Sequence, residues 1–197
     1  TKATVVDTKH YISKHDLTPN LLGGTGLSIS QCGVGTYRMG LENPQFKESL
    51  TQAIKGGLNL IDTSSNYMDG GAQQLVGDVL HDLFSEGDVS RESIVIVSKG
   101  GYIQGKHYIS SQERKSKQKP YPDLVEYAKG LEHCIHPEYL EAQLNESLDA
   151  LQVPCIDVYL LHNPEYFKLA SQNQGLSLED TNKQYYDRIK KAFIYLE

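Results

Sequence analysis

Short apolar runs alternate with segments of helical periodicity along most of the chain. Four runs have the length and composition of buried β-strands, at residues 32–37, 58–61, 94–98 and 156–161. Runs of this kind, separated by helical segments, are typical of parallel strands joined by right-handed crossovers. The pattern therefore predicts an α/β fold in which a strand followed by a helix occurs four times.

A helix is predicted after each of these strands. Pro44 fits the first turn of the first helix, which Gly56 and Gly57 end; the second follows Gly70 and Gly71. A proline also opens the third helix, and the fourth approaches the end of the sequence. The residues that carry the helical spacing are Phe46, Leu50, Ala53 and Ile54; Leu75, Val76, Val79, Leu80, Leu83 and Phe84; Leu140, Leu144, Leu148 and Leu151 after Pro137; and Tyr185, Ile189, Phe193 and Ile194.

Other segments carry weaker patterns. A glycine-rich turn between apolar ends predicts a β-hairpin within residues 21–30. Residues 1–20 are polar and aperiodic, so we expect a poorly structured amino-terminal extension there. Residues 102–121 are long, polar and rich in lysine, and we expect an exposed loop over the active face. A polar linker is expected between the fourth strand and the last helix.

Composition narrows the class of protein. With 39% hydrophobic residues in 197, the chain can bury the core of one domain, and a net charge of −6 argues against nucleic acid as a partner. No apolar run approaches the ~20 residues that span a membrane, and no signal peptide is visible. The three cysteines form no CxxC pair, which favours a reducing, cytoplasmic location.

Four side chains with acid–base chemistry follow the predicted strands. Asp62 and Tyr67 follow the second strand, Lys99 follows the third and His162 follows the fourth. Ligands bind at the carboxyl ends of strands in parallel α/β sheets. These strand ends therefore predict a candidate active site.

The four residue types suit acid catalysis at a carbonyl group. A tyrosine, with an ordinary pKa of ~10, becomes a useful acid when a nearby ammonium stabilises its anion. A carboxylate beside the ammonium keeps it charged, and an imidazole orients the substrate carbonyl by a hydrogen bond. Such a set protonates the carbonyl oxygen while hydride reaches the carbon. Because no side chain donates hydride, the chemistry requires a nicotinamide.

Each residue also has a plain structural interpretation. Asp62 suits a turn, Tyr67 a packing position and His162 a core position with satisfied hydrogen bonds. Lys99 is harder to explain in this way, because a lysine that closes a buried apolar run must emerge at the end of the sheet. The joint placement of all four on successive strand ends favours the catalytic interpretation.

Several stretches together resemble the aldo-keto reductases, in the order and spacing of that family. They read GVGTY at residues 33–37, NLIDTSSNY at 59–67, VSK at 97–99, LNESLDAL at 144–151 and IDVYLLHNP at 156–164. The resemblance implies a (β/α)8 TIM barrel with an amino-terminal β-hairpin that closes its bottom. It also implies an NAD(P)H-dependent reductase of an aldehyde or ketone, or the reverse alcohol or sugar dehydrogenase.

The resemblance implies roles for the strand-end residues. Asp62, Tyr67, Lys99 and His162 match the catalytic tetrad of the family, with Tyr67 as the proton donor. The implied partner is a small-molecule carbonyl substrate.

The resemblance also implies how the cofactor is held. Gly35, Thr36 and Tyr37 are expected near the nicotinamide, beside Asp62, and the implied cofactor is NADPH, with NADH as the alternative. The Gly-x-Ser-Glu helix start of the family reads GAQQ at residues 71–74. We expect this change to weaken a helix cap rather than the chemistry.

The length of the chain departs from the family. Four strands are half of such a barrel, and a second half of about 100 to 150 residues is expected by the usual barrel size. In the family that half supplies the residues that bind the nicotinamide amide, stack on the ring and hold the 2′-phosphate, so none of them can be assigned. We therefore expect residues 1–197 to be a single domain that forms the amino-terminal half of the barrel, either as part of a longer protein or as a cleaved or truncated product.

Two other functions stay open. A regulatory subunit that senses redox state could keep the cofactor fold, although such a protein can lose the orienting histidine that this chain keeps as His162. A lyase or isomerase could use Lys99 as a Schiff-base amine. Fold alone does not choose among them, because barrels host many chemistries.

The remaining sequence features do not support a zinc site, an anion-binding site or a Rossmann site. His133, Cys134 and His136 lack a second ligand pair, so no zinc site is expected. The basic run at residues 114–119 is interpreted as a solvated loop. No Gly-x-Gly-x-x-Gly motif follows the first strand, which argues against a Rossmann dinucleotide site.

Overall fold

The computed structural model describes residues 1–197, which divide into two compact units. Unit 1 comprises Thr1–Ser98 and Glu146–Leu160, and unit 2 comprises Lys99–Asn145 and Leu161–Glu197. Each unit has its own cluster of buried apolar side chains.

Unit 1 contains the predicted alternation of strands and helices. Its elements are helix α1 (Val5–Lys14), hairpin strands β1 (Asn20–Leu21) and β2 (Ser28–Ile29), strand β3 (Val34–Gly35), helix α2 (Pro44–Lys55), strand β4 (Leu60–Asp62), helix α3 (Gly71–Glu86) and strand β5 (Val95–Gly100), whose last two residues belong to unit 2. The antiparallel pairing of β1 with β2 confirms the predicted hairpin.

The main sheet has four strands in the order β3-β4-β5-β9, where β9 is Val158–Leu161. β4 pairs in parallel with both β3 and β5. On the other side of β5, the Asp157 N–H donates to the Ile96 carbonyl (3.1 Å) and the His162 N–H donates to the Gly100 carbonyl (2.7 Å). Because the partners advance together along both strands, β9 is parallel to β5 as well. The predicted parallel α/β sheet is confirmed. The sheet is open, with β3 and β9 as its edge strands, and no closed barrel is formed.

The core of unit 1 explains why these sequences form these elements. The Asn43 side chain accepts a hydrogen bond from the Gln45 N–H at the start of α2, and Pro44 occupies the first helical turn. The apolar faces of α2 and α3 then bury Leu50, Ile54, Val76, Val79, Leu80 and Leu83 almost completely. A Cβ at Gly77 of α3 would stand 2.3 Å from the Ala150 carbonyl, so only glycine permits this close approach.

Unit 2 contains a second, antiparallel sheet. Its elements are strand β6 (Tyr102–Ile103), helix α4 (Lys106–Ser116), strands β7 (Val125–Ala128) and β8 (Leu131–His133), helix α5 (Pro137–Leu151), whose last turns belong to unit 1, and helices α6 (Tyr166–Asn173) and α7 (Leu178–Leu196). The strand order is β6-β8-β7, with Tyr102 paired to His133. Ile103, Cys134 and Tyr139 form its buried apolar cluster.

The expectation of a poorly structured segment at residues 1–20 is wrong over Val5–Lys14, which form α1. The Thr4 side chain caps this helix by accepting from the Asp7 N–H. The buried positions are Thr8, Tyr11 and Ile12. Because one of these three positions is a threonine, the apolar spacing alone is too sparse to reveal the helix.

The expectation of an exposed loop at residues 102–121 is also wrong. This segment forms β6 and α4, and Ser111 is the one buried residue of the helix. Ser111 donates a hydrogen bond to Glu132, and Lys115 forms ion pairs with Glu126 and Glu132. Polar contacts therefore hold α4, and they leave no apolar periodicity in the sequence. The predicted polar linker before the last helix likewise contains the short helix α6.

A buried ion pair joins distant parts of unit 1. The Arg91 guanidinium and the Asp157 carboxylate are 2.9 Å apart, with 7% and 3% of their side chains exposed. The carboxylate also accepts from the backbone N–H groups of Ala3 (2.7 Å) and Ile96 (2.8 Å). Arg91 donates further to the carbonyls of Ile94 and Cys155, both at 2.7 Å. The carboxylate and both terminal guanidinium nitrogens are thus hydrogen-bonded, whereas Arg91 Nε is buried without a partner.

None of the helices combines the length and the apolar character needed to cross a membrane.

Candidate functional site

In unit 1, the carboxyl ends of β3 and β4 are joined through one backbone carbonyl. Gly35 pairs with Asp62 across the two strands. The next residue, Thr36, is fully buried and donates to the Asp62 carbonyl from both its N–H (3.0 Å) and its hydroxyl (3.1 Å). These bonds hold the backbone of Asp62 and leave its side chain partly exposed at the strand end.

The loop that carries Tyr67 is a buried polar turn. Residues 63–66 are all buried, and the Tyr67 N–H donates to the Ser64 carbonyl (3.1 Å). The Ser64 hydroxyl donates to the Asn66 side chain (2.6 Å), and the Thr63 N–H donates to the Val97 carbonyl (2.9 Å). Hydrogen bonds within the protein allow a polar loop of this kind to be buried. These hydrogen bonds therefore hold in place the loop that precedes Tyr67.

Beyond Tyr67 the backbone is unusual. Met68 and Asp69 both have left-handed φ values, 49° and 54°, which non-glycine residues rarely adopt. Helix α3 then begins after Gly70 without a side-chain cap. Gln73 in the first turn of the helix donates from Nε2 to the Ser98 hydroxyl at 2.8 Å in the buried interior. It therefore ties the start of α3 to strand β5.

Tyr37 and Tyr67 lie against each other in unit 1. Their ring centroids are 5.1 Å apart at an angle of 83°, and the Arg38 guanidinium lies 6.0 Å from the Tyr37 ring centre. Tyr37 is 62% exposed. A Cβ built on Gly35 would meet no atom within 4 Å. The end of β3 therefore offers an open surface with an exposed aromatic ring.

In unit 2, Lys99 and His162 occupy the ends of their strands. Lys99 is partly exposed within β5, between Ser98 and Gly100, which are both buried. His162 follows β9, and its N–H donates to the Gly100 carbonyl (2.7 Å). Asn163 then has a φ of 49°, so the chain turns sharply at once after His162.

A second histidine holds the carbonyl of His162. His133, the last residue of β8, is 1% exposed, and its Nε2 lies 2.6 Å from that carbonyl oxygen. Between them stands Gly101, with a φ of 131°. A Cβ at Gly101 would come within 2.8 Å of His133 Nε2 and 3.2 Å of the His162 carbonyl, so glycine is required there.

One tyrosine, Tyr102, lies against the imidazole of His162 in unit 2, and other tyrosines pack around Tyr102. The Tyr102 ring lies 4.5 Å from the His162 ring, centre to centre, and its hydroxyl is 2.5 Å from that of Tyr166. Tyr127 stacks on Tyr166 at 4.0 Å with an angle of 7°. The carbonyl of Tyr102 in turn accepts from the Tyr139 hydroxyl (2.6 Å) and the Gln143 amide (3.2 Å). The cluster is therefore held by hydrogen bonds as well as by ring contacts.

Burial sets the protonation of this cluster. Desolvation lowers the pKa of His133 to about 4, although its hydrogen bond to the His162 carbonyl acts in the opposite direction. Among neighbouring charges, Arg188 and His162 lower this pKa and Glu165 raises it. Burial, followed by the hydrogen bond to Tyr166, raises the pKa of Tyr102. Both groups are neutral at pH 7.

The structure thus places the predicted residues in two groups. Unit 1 holds Asp62 and Tyr67 at the end of β4, with the proposed cofactor-binding residues Gly35, Thr36 and Tyr37 at the end of β3. Unit 2 holds Lys99 and His162 at the ends of two further strands.

Sequence reasoning missed the residues around His162. The sequence suggests no role for His133 beyond that of a metal ligand, and it predicts a loop at Tyr102 and a linker at Tyr166. Local spacing carries no signal for these contacts, since His133 is 29 positions from His162. No group of three His, Cys, Asp or Glu side chains in the structure is arranged to hold a metal ion.

The parallel strands of the main sheet and the helices between them define the class of the fold as α/β. The sequence model of the aldo/keto reductase family matches residues 31–183. The chain belongs to the aldo/keto reductase family.

Individual proteins of this family are similar to the chain in sequence and in fold. The chain is 28% identical over 152 residues to an NADH-specific methylglyoxal reductase of Escherichia coli, covering 72% of this chain and 40% of that protein. It is 25% identical over 150 residues to an NAD(P)H-dependent D-xylose reductase of Scheffersomyces stipitis, covering 76% of this chain and 36% of that protein. The solved holo form of an aldo-keto reductase from Bacillus halodurans matches with a TM-score of 0.56 at 22% identity, over 80% of this chain and 47% of that chain, which concerns the fold alone. The chain spans less than half the length of each of these relatives.

Proposed function

We propose that the chain carries the catalytic tetrad of an NAD(P)H-dependent oxidoreductase that reduces an aldehyde or ketone to an alcohol, or runs the reverse reaction. The observation that supports this most directly is the position of the four residues. Asp62, Tyr67, Lys99 and His162 all lie within the family match at residues 31–183, at or just after the carboxyl ends of the strands β4, β5 and β9.

In the proposed mechanism Tyr67 donates a proton to the carbonyl oxygen of the substrate. The Lys99 ammonium stabilises the tyrosinate that remains, and the Asp62 carboxylate keeps the ammonium charged. His162 hydrogen-bonds the carbonyl oxygen and orients the substrate. The buried loop at residues 63–66 supports the donor role, because a proton donor must be held in place before the reaction.

The nicotinamide supplies hydride to the carbonyl carbon. Gly35, Thr36 and Tyr37 are proposed to hold it beside Asp62. The absence of any atom near the Cβ position of Gly35 and the exposed ring of Tyr37 support this assignment, since both leave room for a planar ring. NADPH is the proposed cofactor, with NADH as the alternative, and both choices occur in the names of the relatives.

The test uses the complete gene product and follows the oxidation of NADPH, and separately of NADH. Methylglyoxal and D-xylose serve as carbonyl substrates because the relatives are named for them. Tyr67→Phe should lower kcat/KM by roughly a thousandfold or more, because it removes only the proton that the phenol donates. Tyr186→Phe, at an exposed position of α7, is the matched control and should leave kcat/KM unchanged.

Other outcomes distinguish the alternatives. If the wild type and Tyr67→Phe both bind cofactor and neither turns over any carbonyl, the redox-sensing function replaces this proposal. A covalent adduct at Lys99 after borohydride treatment with substrate would instead support the Schiff-base lyase or isomerase.

A further inference from the structure

The contact between His133 and His162 has a defined chemistry. The partner of His133 Nε2 is a carbonyl oxygen, which only accepts, so Nε2 must carry the proton. The other ring nitrogen, Nδ1, is buried and has no hydrogen-bond partner. His133 is therefore a neutral imidazole of one tautomer, and its one hydrogen bond is the one to His162.

The backbone of His162 is held on both sides of its Cα atom. Its N–H donates to the Gly100 carbonyl at 2.7 Å, and its carbonyl accepts from His133 at 2.6 Å. Fixing both peptide planes fixes the direction of the Cα–Cβ bond. The Tyr102 ring, 4.5 Å from the imidazole, then limits rotation of the side chain.

The next residue turns the chain. Asn163 has a left-handed φ of 49°, which asparagine adopts more readily than most residues with a side chain. The hydrogen bond from His133 acts on the peptide group that links His162 to Asn163, so it holds this turn at the point where the imidazole is attached.

We propose that His133 is a positioning residue, whose Nε2–H fixes the His162 carbonyl and thereby the place of the His162 imidazole. The inference rests on the proposed role of His162 in orienting the substrate carbonyl. His133 touches neither substrate nor cofactor in this scheme and acts only through His162.

The first test compares three variants of the complete gene product. His133→Leu removes the donor, His133→Gln keeps an N–H at about the reach of Nε2, and His133→Asn has a shorter reach. His133→Leu and His133→Asn should lower kcat/KM by roughly 10- to 100-fold, as small misplacements of catalytic groups do, and His133→Gln should restore most of it. Equal activity of His133→Leu and the wild type would overturn the inference, and so would failure of His133→Gln to exceed His133→Leu.

A double-mutant cycle separates positioning from a general effect on folding. In a His162→Ala background, His133→Leu should cause no further loss of kcat/KM, because the residue through which it acts is absent. Additive losses would show that His133 acts by another route and would overturn the proposal. Thermal unfolding of each variant, measured alongside, shows that the compared proteins are folded.

A spectroscopic test examines the His162 imidazole directly, without measuring turnover. In a long-range ¹H–¹⁵N spectrum of the imidazoles, the wild type and His133→Gln should each give one sharp set of His162 signals, and His133→Leu should give broadened or shifted ones. Unchanged His162 signals in His133→Leu would contradict the positioning role. If the wild type shows this pattern and reduces no carbonyl, the proposed function fails while the restraint on His162 stands.

Discussion

Each unit contains a buried polar anchor, which is a side chain or ion pair that holds backbone groups in place. The anchor is charged in unit 1 and neutral in unit 2. In unit 1 the anchor is a charged pair, Arg91 with Asp157, which binds four backbone groups besides making its own ion pair. In unit 2 it is a single neutral imidazole, His133, which binds one backbone carbonyl. Both anchors are almost fully buried.

The charged anchor and the neutral anchor depend on their surroundings in different ways. A buried charge is stable only while every partner remains, because an unpaired ion in a medium of low polarity costs several kcal/mol. A neutral imidazole costs less to bury, but it must stay neutral. The anchor of unit 1 is therefore sensitive to the loss of a partner, and that of unit 2 is sensitive to pH.

The largest expected effect tests the charged anchor. Asp157→Ala leaves the Arg91 guanidinium buried without its carboxylate and removes the acceptor of two backbone N–H groups. We expect the free energy of unfolding to fall by about 3–5 kcal/mol. Urea or thermal unfolding followed by circular dichroism measures the change.

The control for this prediction is an exposed ion pair of the same unit. Lys47 and Asp82 are 2.8 Å apart with about half of each side chain exposed. Lys47→Ala should leave the unfolding midpoint unchanged, since water screens the pair. If Asp157→Ala is as mild as Lys47→Ala, the buried pair is not an anchor.

The second prediction tests the neutral anchor by changing pH. The pKa of His133 is lowered to about 4 by burial, against ~6.5 in an unfolded chain. Between these values the unfolded state binds a proton that the folded state does not. Stability is therefore fully present above pH 6.5 and is lost as the pH falls towards 4, by on the order of 3 kcal/mol in total.

His133→Gln isolates this contribution, because glutamine keeps an N–H donor and does not titrate. Urea unfolding of both proteins at pH 7 and pH 5 should show a smaller loss in the variant than in the wild type. His136, whose pKa burial also lowers, is present in both proteins and cancels in the difference. Parallel pH curves for the two proteins would show that His133 is not the group that titrates.

The third prediction concerns the space that the neutral anchor needs. Gly101→Ala places a Cβ 2.8 Å from His133 Nε2 on a backbone with a φ of 131°. We expect a loss of about 1–3 kcal/mol in the free energy of unfolding, from the backbone strain and the displaced histidine together.

Gly130→Ala is the matched control for Gly101→Ala. Its φ is also positive, at 80°, but an added Cβ would meet no atom within 4 Å. It should cost less than Gly101→Ala in thermal unfolding, and it should leave the His162 imidazole signals in place. Equal costs at the two glycines would mean that backbone strain alone, and not the histidine, sets the requirement at position 101.

The parts of the fold that were predicted from sequence are those that bury apolar residues in a regular pattern. α2, α3, α5 and the strands of the main sheet carry such a pattern, and the structure confirms them. α4 could not be predicted, because serine, lysine and glutamate contacts hold it and leave no apolar stripe. The same reason applies to α1, in which Thr8 takes one of the three buried positions.

The candidate site shows the same division. Asp62, Tyr67, Lys99 and His162 were identified because each follows a strand that the sequence reveals. His133 was not, because its role depends on a hydrogen bond to a residue 29 positions away and on the shape of Gly101. When the role of a residue depends on a polar contact with a distant segment, that role can be recognised only once the fold is known.

The bond between Ala3 and Asp157 has a consequence for the order of folding. The two partners are 154 positions apart, so the bond to the carboxylate is impossible until residue 157 has been synthesised. At about 5 to 20 residues per second, a ribosome needs roughly 8 to 30 s to add those residues. During that interval the amino-terminal segment lacks one of its attachments, which Asp157, the residue just before β9, supplies. In a growing chain, unit 1 is therefore completed from its carboxyl-terminal segment.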